Sequence, residues 1–234
     1  MNRGVAIVSF PGSNGDRDAV DAFAESIGVA TRLVDYREES LDGFEAVVLP
    51  GGFSYGDYLR TGAIARFAPV MTAVQQFALT GGPVLGICNG FQILTEAHLL
   101  PGAILPNRDL RFHSEWVHIR VETGETAWSS AAADGEVLTM PVAHGMGNYF
   151  ADPEILATLE HENRVVFRYC DADGHLTEQA NINGSMHAIA GICNQKRNVV
   201  GLMPHPERAA DPLLGSPDGL RILNAVTSFV GRLV

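Results

Sequence analysis

Three residues whose types allow covalent chemistry sit in unusual backbone settings. Cys88 is the centre of Gly86-Ile87-Cys88-Asn89-Gly90, directly after the apolar run PVLGI. A strand that ends at Ile87 and a helix that starts at once put the thiol on a sharp turn, the nucleophile elbow G-x-nucleophile-x-G. The two glycines let strand and helix approach with no Cβ between them. A thiol beside a helix N-terminus is drawn toward its thiolate. An unperturbed cysteine is only a few per cent ionised near pH 7, so a neighbouring base must complete the activation. Met203-Pro204-His205-Pro206-Glu207 offers one. The prolines exclude helix and predict an extended backbone. Residues two apart then share a side, and Glu207 orients the His205 imidazole. An acyl-transfer thiol also needs donors for an oxyanion. The Asn89 amide is one, and the glycine turn Pro50-Gly51-Gly52 supplies a second.

These groups converge only if the fold brings them together. Short apolar runs at 4–10, 29–34, 46–49 and 84–87 alternate with helical patterns at 16–26, 67–79 and 88–97. That alternation predicts a parallel sheet covered on both faces. The second half differs, with strand patterns at 116–121, 137–143, 164–170, 187–193 and 199–203. A mostly parallel sheet with antiparallel additions in the C-terminal half follows. Ser216-Pro217 opens a closing helix whose apolar face is Ile222, Leu223, Val226, Phe229, Val230 and Leu233. The strands before Cys88, His205 and Gly51 all end at the carboxyl edge, where open α/β sheets build their sites.

Composition bounds the function. The 234 residues are 46% hydrophobic, enough for a sizeable core, and carry a net charge of −11. That balance opposes nucleic acid and anionic membrane surfaces, which reward clustered Lys and Arg. No run reaches the ~18 apolar residues of a membrane span, and the N-terminus reads as a strand rather than a signal peptide. Cys88, Cys170 and Cys193 are an odd count without CxxC spacing, which fits a reducing, cytoplasmic compartment. Cys170 and Cys193 read as core residues. The histidines lack metal-ligand spacing, so no metal site is expected. Gly12-Ser13-Asn14-Gly15 matches neither phosphate-loop pattern and reads as a turn before a helix.

GICNGFQ together with MPHPE resembles the class I (triad) glutamine amidotransferases. The likeness extends nearly end to end, through FPGSNGDRD, LPGGFSYGDYLRTGAIAR, LLPGAILPN, MPVAHGMGNYF, NINGS and LGSPDG. It implies one amidotransferase domain over 1–234, with a flavodoxin-like three-layer α/β sandwich. It implies that Cys88 attacks the side-chain amide of L-glutamine, that His205 moves the proton and that Glu207 orients His205. Gly52 and the Asn89 amide match the oxyanion donors of the family. Gly51, Gln92, His144 and Gly145 match positions near the substrate. The ammonia would pass to a separate ATP- and Mg²⁺-using synthetase subunit that converts formylglycinamide ribonucleotide to its amidine in purine synthesis, with a small bridging subunit between them. This chain itself would need no cofactor. FSYGDYLR is expected to couple partner docking, through Tyr55 and Tyr58, to the oxyanion loop. The family's HGEG is His144-Gly145-Met146-Gly147 here, and its NPNGS is Asn181-Ile182-Asn183-Gly184-Ser185. A different elbow hydrolase would need neither PHPE nor Gln92, and an intact triad argues against a purely structural subunit.

Overall fold

The computed structural model describes residues 4–228. The chain starts with β1 (Val5–Ser9), then α1 (Asp16–Asp21), which runs straight into a π-helical stretch (Ala22–Ile27) closed by Gly28 at φ 77°. β2 (Thr31–Asp35), β3 (Ala46–Leu49), α2 (Pro69–Leu79), β4 (Val84–Ile87) and α3 (Asn89–Glu96) follow. β1, β3 and β4 read VAIVS, AVVL and VLGI and are buried nearly throughout. Such unbroken apolar runs are what a strand covered on both faces requires. Each Val, Ile or Leu side chain buried in this way contributes roughly 1.5–3 kcal/mol.

The second half contains β5 (Ala103–Pro106), β6 (His113–Val121), β7 (Val137–His144), β8 (Met146–Phe150), α4 (Pro153–His161), β9 (Val165–Cys170), β10 (Ile189–Cys193), β11 (Val199–Leu202) and α5 (Leu220–Leu223). The nine-stranded sheet has the order β2-β1-β3-β4-β11-β10-β9-β6-β7. From β2 to β11 the pairings are parallel, and from β11 to β7 they are antiparallel. The order 2-1-3-4 is that of a doubly wound sheet, whose ligands gather at the carboxyl ends of the strands. β5 and β8 form a separate two-stranded sheet that the sequence pattern did not reveal.

Two predicted helices differ in extent. The pattern at 16–26 is half α and half π, and the widened turn ends where Gly28 takes a left-handed conformation. The closing helix begins at Leu220 rather than at Pro217, because Asp211 and Ser216 are tied by a β-bridge and Asp218 Oδ2 accepts from the Thr139 amide. Residues Asn224–Ser228 tighten to 3₁₀, and Phe229, Val230 and Leu233 lie outside the described residues. No helix among the described residues is long and apolar enough to cross a membrane.

Candidate active site

β4 and β11 are parallel neighbours in register, with Ile87 opposite Leu202. The chain leaves both strands at the same edge, and the Cys88 amide donates to the Leu202 carbonyl at 2.8 Å. Cys88 stands at φ 51°, ψ −104°, a conformation that L-residues seldom adopt. It is strained by roughly 1–3 kcal/mol and is held by what surrounds it. A Cβ at Gly90 would run into the Leu49 carbonyl, and one at Gly86 would lie 2.7 Å from the Gly90 carbonyl carbon. The two glycines are therefore what lets α3 sit directly on β3 and β4. The Cys88 sulfur lies 3.7 Å from the Ala143 carbonyl at the end of β7.

His205 follows β11 with extended φ and ψ of −104° and 90°, and its amide donates to the Pro141 carbonyl on β7 at 2.8 Å. Residues Pro206–Arg208 form a 3₁₀ turn, not the extended segment that the proline pair predicts. Proline fixes only its own φ and the preceding residue, and the turn closes when the Arg208 amide reaches the His205 carbonyl. The expected neighbour is nevertheless in place: His205 Nδ1 lies 2.6 Å from Glu207 Oε1. Cys88, His205 and Glu207 are 4%, 1% and 2% exposed. Burial alone would discharge His205, yet the Glu207 carboxylate and the Cys88 sulfur overcome it and hold the imidazole well above its ordinary pKa. With Nδ1 given to Glu207, Nε2 is left without a hydrogen-bond partner. Glu207 thus fixes the orientation of the ring and leaves its second nitrogen free to exchange a proton with a reacting group.

Gly51 separates these groups: a Cβ there would lie 2.6 Å from His205 Cε1 and 3.6 Å from Cys88 Cβ. Gly52, at φ 149°, is pinned by the turn after β1. The Asn14 and Gly15 amides donate to the Gly51 carbonyl, and the Phe53 amide donates to Gly12. A Cβ at Gly15 would lie 3.3 Å from Glu207 Oε1. The Gly12–Gly15 turn thus braces the glycine loop from beside the triad. Sequence reasoning treated it as a plain turn, because its role depends on β1 and β3 being neighbours. Arg208 adds a cation behind Glu207, 3.8 Å from Oε1 and anchored by Asp18 at 2.9 Å.

The remaining expected residues gather on the other side of Cys88. Gln92 is buried, and both ends of its amide are engaged: Oε1 accepts from Asn89 Nδ2 at 2.8 Å, and Nε2 donates to the Met146 carbonyl at 2.6 Å. Position 146 therefore contributes its backbone, which the change from Glu to Met leaves intact. Burial pushes His144 down to about 3, with the charges of His205 and His113 adding to it. The neutral ring donates from Nδ1 to Asn107 Oδ1, which also accepts from the Gly147 amide. Asn107 Nδ2 donates to the His144 carbonyl, and the Asn107 amide donates to Gly145. Asn183 and Ser185, from NINGS, hold the Gly147 carbonyl. Asn107, Asn183 and Ser185 escaped sequence reasoning. Polar residues in loops are ordinary, and only their complete burial marks these three as braces of the 144–147 turn.

Two cysteines and one loop complete the picture. Burial pushes the Cys170 and Cys193 thiols up to about 11, which leaves them inert beside Cys88. After Gly52 the loop carries Tyr55, Gly56, Asp57 and Leu59 at positive φ. Tyr55 packs edge-on against Tyr36, while Tyr58 and Leu59 are 75% and 89% exposed. Tyr58 and Leu59 therefore face outward, whereas Tyr55 is turned against Tyr36.

Comparison with known proteins identifies the family. The model of the CobB/CobQ-like glutamine amidotransferase domain matches residues 2–217. A protein of Thermomicrobium roseum named phosphoribosylformylglycinamidine synthase subunit PurQ is 58% identical over 223 residues, covering 95% of this chain and 94% of that protein. The protein of the same name from Rubrobacter xylanophilus is 60% identical over 222 residues, covering 95% and 96%. Among solved structures, a chain of PurLQS from Thermotoga maritima superposes with a TM-score of 0.85 at 39% identity, covering 98% of this chain and 99% of that one. A glutamine amidotransferase of Thermotoga maritima, at 16% identity and a TM-score of 0.55, shares the fold over 97% of this chain and 91% of its own. The family match over residues 2–217 places this protein among the CobB/CobQ-like glutamine amidotransferases.

Proposed function

We propose that this chain is the glutaminase subunit of phosphoribosylformylglycinamidine synthase, one amidotransferase domain over 1–234 that acts in the cytoplasm. The observation that carries the reading is the buried His205–Glu207 pair, whose imidazole is held protonated beside the elbow sulfur. The sulfur, its proton carried by the His205 imidazole, attacks the carboxamide carbon of L-glutamine. A C–S bond forms and the carbonyl π pair moves to oxygen, where the Gly52 and Asn89 amides receive it. The oxyanion then collapses, the C–N bond breaks, and His205 gives its proton to the departing nitrogen. Ammonia leaves and a glutamyl thioester remains. Water attacks the thioester, His205 takes its proton, and glutamate and the Cys88 thiolate are regenerated. Gly51, Gln92, His144 and Gly145 shape the glutamine pocket. General acid–base assistance of this kind contributes roughly 10²–10⁴ in rate.

The ammonia is used by a synthetase subunit that consumes ATP with Mg²⁺ and turns formylglycinamide ribonucleotide (FGAR) into formylglycinamidine ribonucleotide (FGAM) for purine synthesis. This chain needs no cofactor of its own. Its partners are the large, synthetase component of FGAM synthase and the small bridging one; nucleic acid and membrane are not partners. Support comes from the relatives that bear the synthase name and from the PurLQS structure, and Tyr58 and Leu59 offer an exposed apolar contact beside the glycine loop. The test is reconstitution with the synthetase, supplied with either glutamine or ammonium. Cys88→Ala is expected to abolish amidine formation from glutamine and to leave the ammonium route intact. Glutamine-dependent turnover by that variant would overturn the reading.

A further inference from the structure

A continuous chain of buried side-chain hydrogen bonds crosses the first turn of α3. The Ser54 amide donates to Asn89 Oδ1 at 3.1 Å, Asn89 Nδ2 donates to Gln92 Oε1, and Gln92 Nε2 donates to the Met146 carbonyl. Asn89 and Gln92 are 1% and 4% exposed. The chain joins the loop that follows Gly52 to the 144–147 turn, the two walls on either side of Cys88. The same loop is fastened further along the same helix. Arg60 makes a bidentate pair with Glu96 at 2.5 and 2.7 Å, and Arg66 donates to the Glu96 carbonyl. Gly62 lies against the backbone of Gln92 and Ile93, where a Cβ would be 2.8 Å from the Ile93 nitrogen. Asn89, Gln92 or Ile93, and Glu96 are spaced three or four apart and so lie along one face. The loop 53–66 is therefore a strap laid on α3, tied at Asn89 at one end and at Glu96 at the other.

We infer that the Asn89 side chain is a positioning residue that holds the Gly52 amide in place through the Ser54 amide and ties that hold, through Gln92, to the glutamine pocket. The inference rests on the reading of Cys88 and Gly52 given above. Gly52 is separated from Ser54 by one residue; the turn after β1 holds the loop from one side, through the Gly51 carbonyl and the Phe53 and Tyr55 amides, and Asn89 is its tie from the side of α3. Without Asn89, the peptides between Gly52 and Ser54 have no tie to the elbow. Four residues downstream hold positive φ, a strain that the ties at either end of the strap must hold. Gln92 retains one lone pair and one hydrogen beyond the bonds it makes. A glutamine that engages it pulls on the same chain that anchors the strap.

The test is Asn89→Ala, which keeps the Asn89 backbone amide and removes only the tie. In the complex reconstituted with the synthetase, kcat for glutamine is expected to fall roughly 10- to 100-fold, less than or equal to the loss of an oxyanion donor, with KM changed less than about threefold. Alkylation of Cys88 by iodoacetamide, which forms no oxyanion, is expected to stay within about twofold. A kcat within about threefold of wild type overturns the inference, and so does an alkylation rate that falls in step with kcat. If the alanine variant does not fold, Asn89→Ser is read in the same way, since its hydroxyl is too short to span to Ser54. Amide exchange is an independent check: the Ser54 amide must exchange faster in Asn89→Ala than in the unaltered chain, and equal exchange refutes the tie. Cys88→Ala, run alongside, separates a failure of this inference from a failure of the nucleophile assignment.

Discussion

Glu207→Gln tests the electrostatics of the site while preserving its shape. In the wild-type chain a carboxylate 2.6 Å from His205 Nδ1 is buried with it, and the nearest compensating cation, Arg208, is 3.8 Å from the same oxygen. A hydrogen bond between a charged pair contributes about 1.5–3 kcal/mol. An amide at the same position retains an acceptor and loses the charge, so most of that preference for imidazolium disappears. At 1.36 kcal/mol per pKa unit, the imidazole should fall by roughly one to two units. The direction is fixed by the structure. His205 is raised in the folded protein, so its charged form persists through neutral pH and is lost on the alkaline side. Losing Glu207 moves that loss toward acid. The assay is kcat/KM for glutamine against pH in the reconstituted complex, with ammonium-dependent turnover measured in parallel. The alkaline limb should move about one to two units lower, and the maximum should drop roughly 10- to 100-fold. The ammonium route should be unchanged. An alkaline limb that stays in place would refute the argument that Glu207 sets the charge on His205.

Two further outcomes follow from local geometry. Gly51→Ala places a methyl group 2.6 Å from His205 Cε1, so the imidazole must tilt; glutamine kcat should fall at least tenfold while the thermal midpoint changes by only a few degrees, measured by calorimetry beside steady-state kinetics. Burial pushes the Asp57 carboxyl up to about 6 from 3.8, with one oxygen unpartnered. A raised carboxyl stabilises the fold fully below its unfolded pKa, and that contribution is lost as pH rises through about 6. Asp57→Asn should therefore stabilise the isolated chain at pH 7–8, by about 1 kcal/mol after solvent screening, and should have no effect near pH 3.5; denaturant melts at the two pH values decide it.

The elbow was legible because its signal is local: an apolar run, two spaced glycines and a thiol describe one turn whatever surrounds them. The same holds for β3 and β4, whose bounds match their patterns, and for the His205–Glu207 pair, although a 3₁₀ turn rather than an extended strand brings it about. What stayed hidden depends on distant partners. β8 was illegible because MGNYF has little alternation and pairs with β5, some forty residues earlier in the chain. The Gly12–Gly15 turn gains its meaning from the adjacency of β1 and β3. Asn89 was read for its backbone amide alone, and nothing in GICNGFQ announces that its side chain meets Ser54. Asn107 is silent in the same way until its four bonds to the 144–147 turn and Arg111 are seen together.

The pairing of Ile87 with Leu202 carries a further consequence. Thiol and imidazole emerge from adjacent strands, so their separation is set by the near-constant spacing of a β-ladder, about 4.8 Å, and not by the hundred-odd residues that intervene in sequence. Insertions and deletions in the loops of that interval are invisible to the reacting pair so long as β11 keeps its alignment and β7 still meets Cys88 and His205. A slip of one residue along β4 would turn the imidazole to the opposite face of the sheet. The chemistry is thus buffered against drift in those loops and vulnerable at the β4–β11 seam and where β7 meets it.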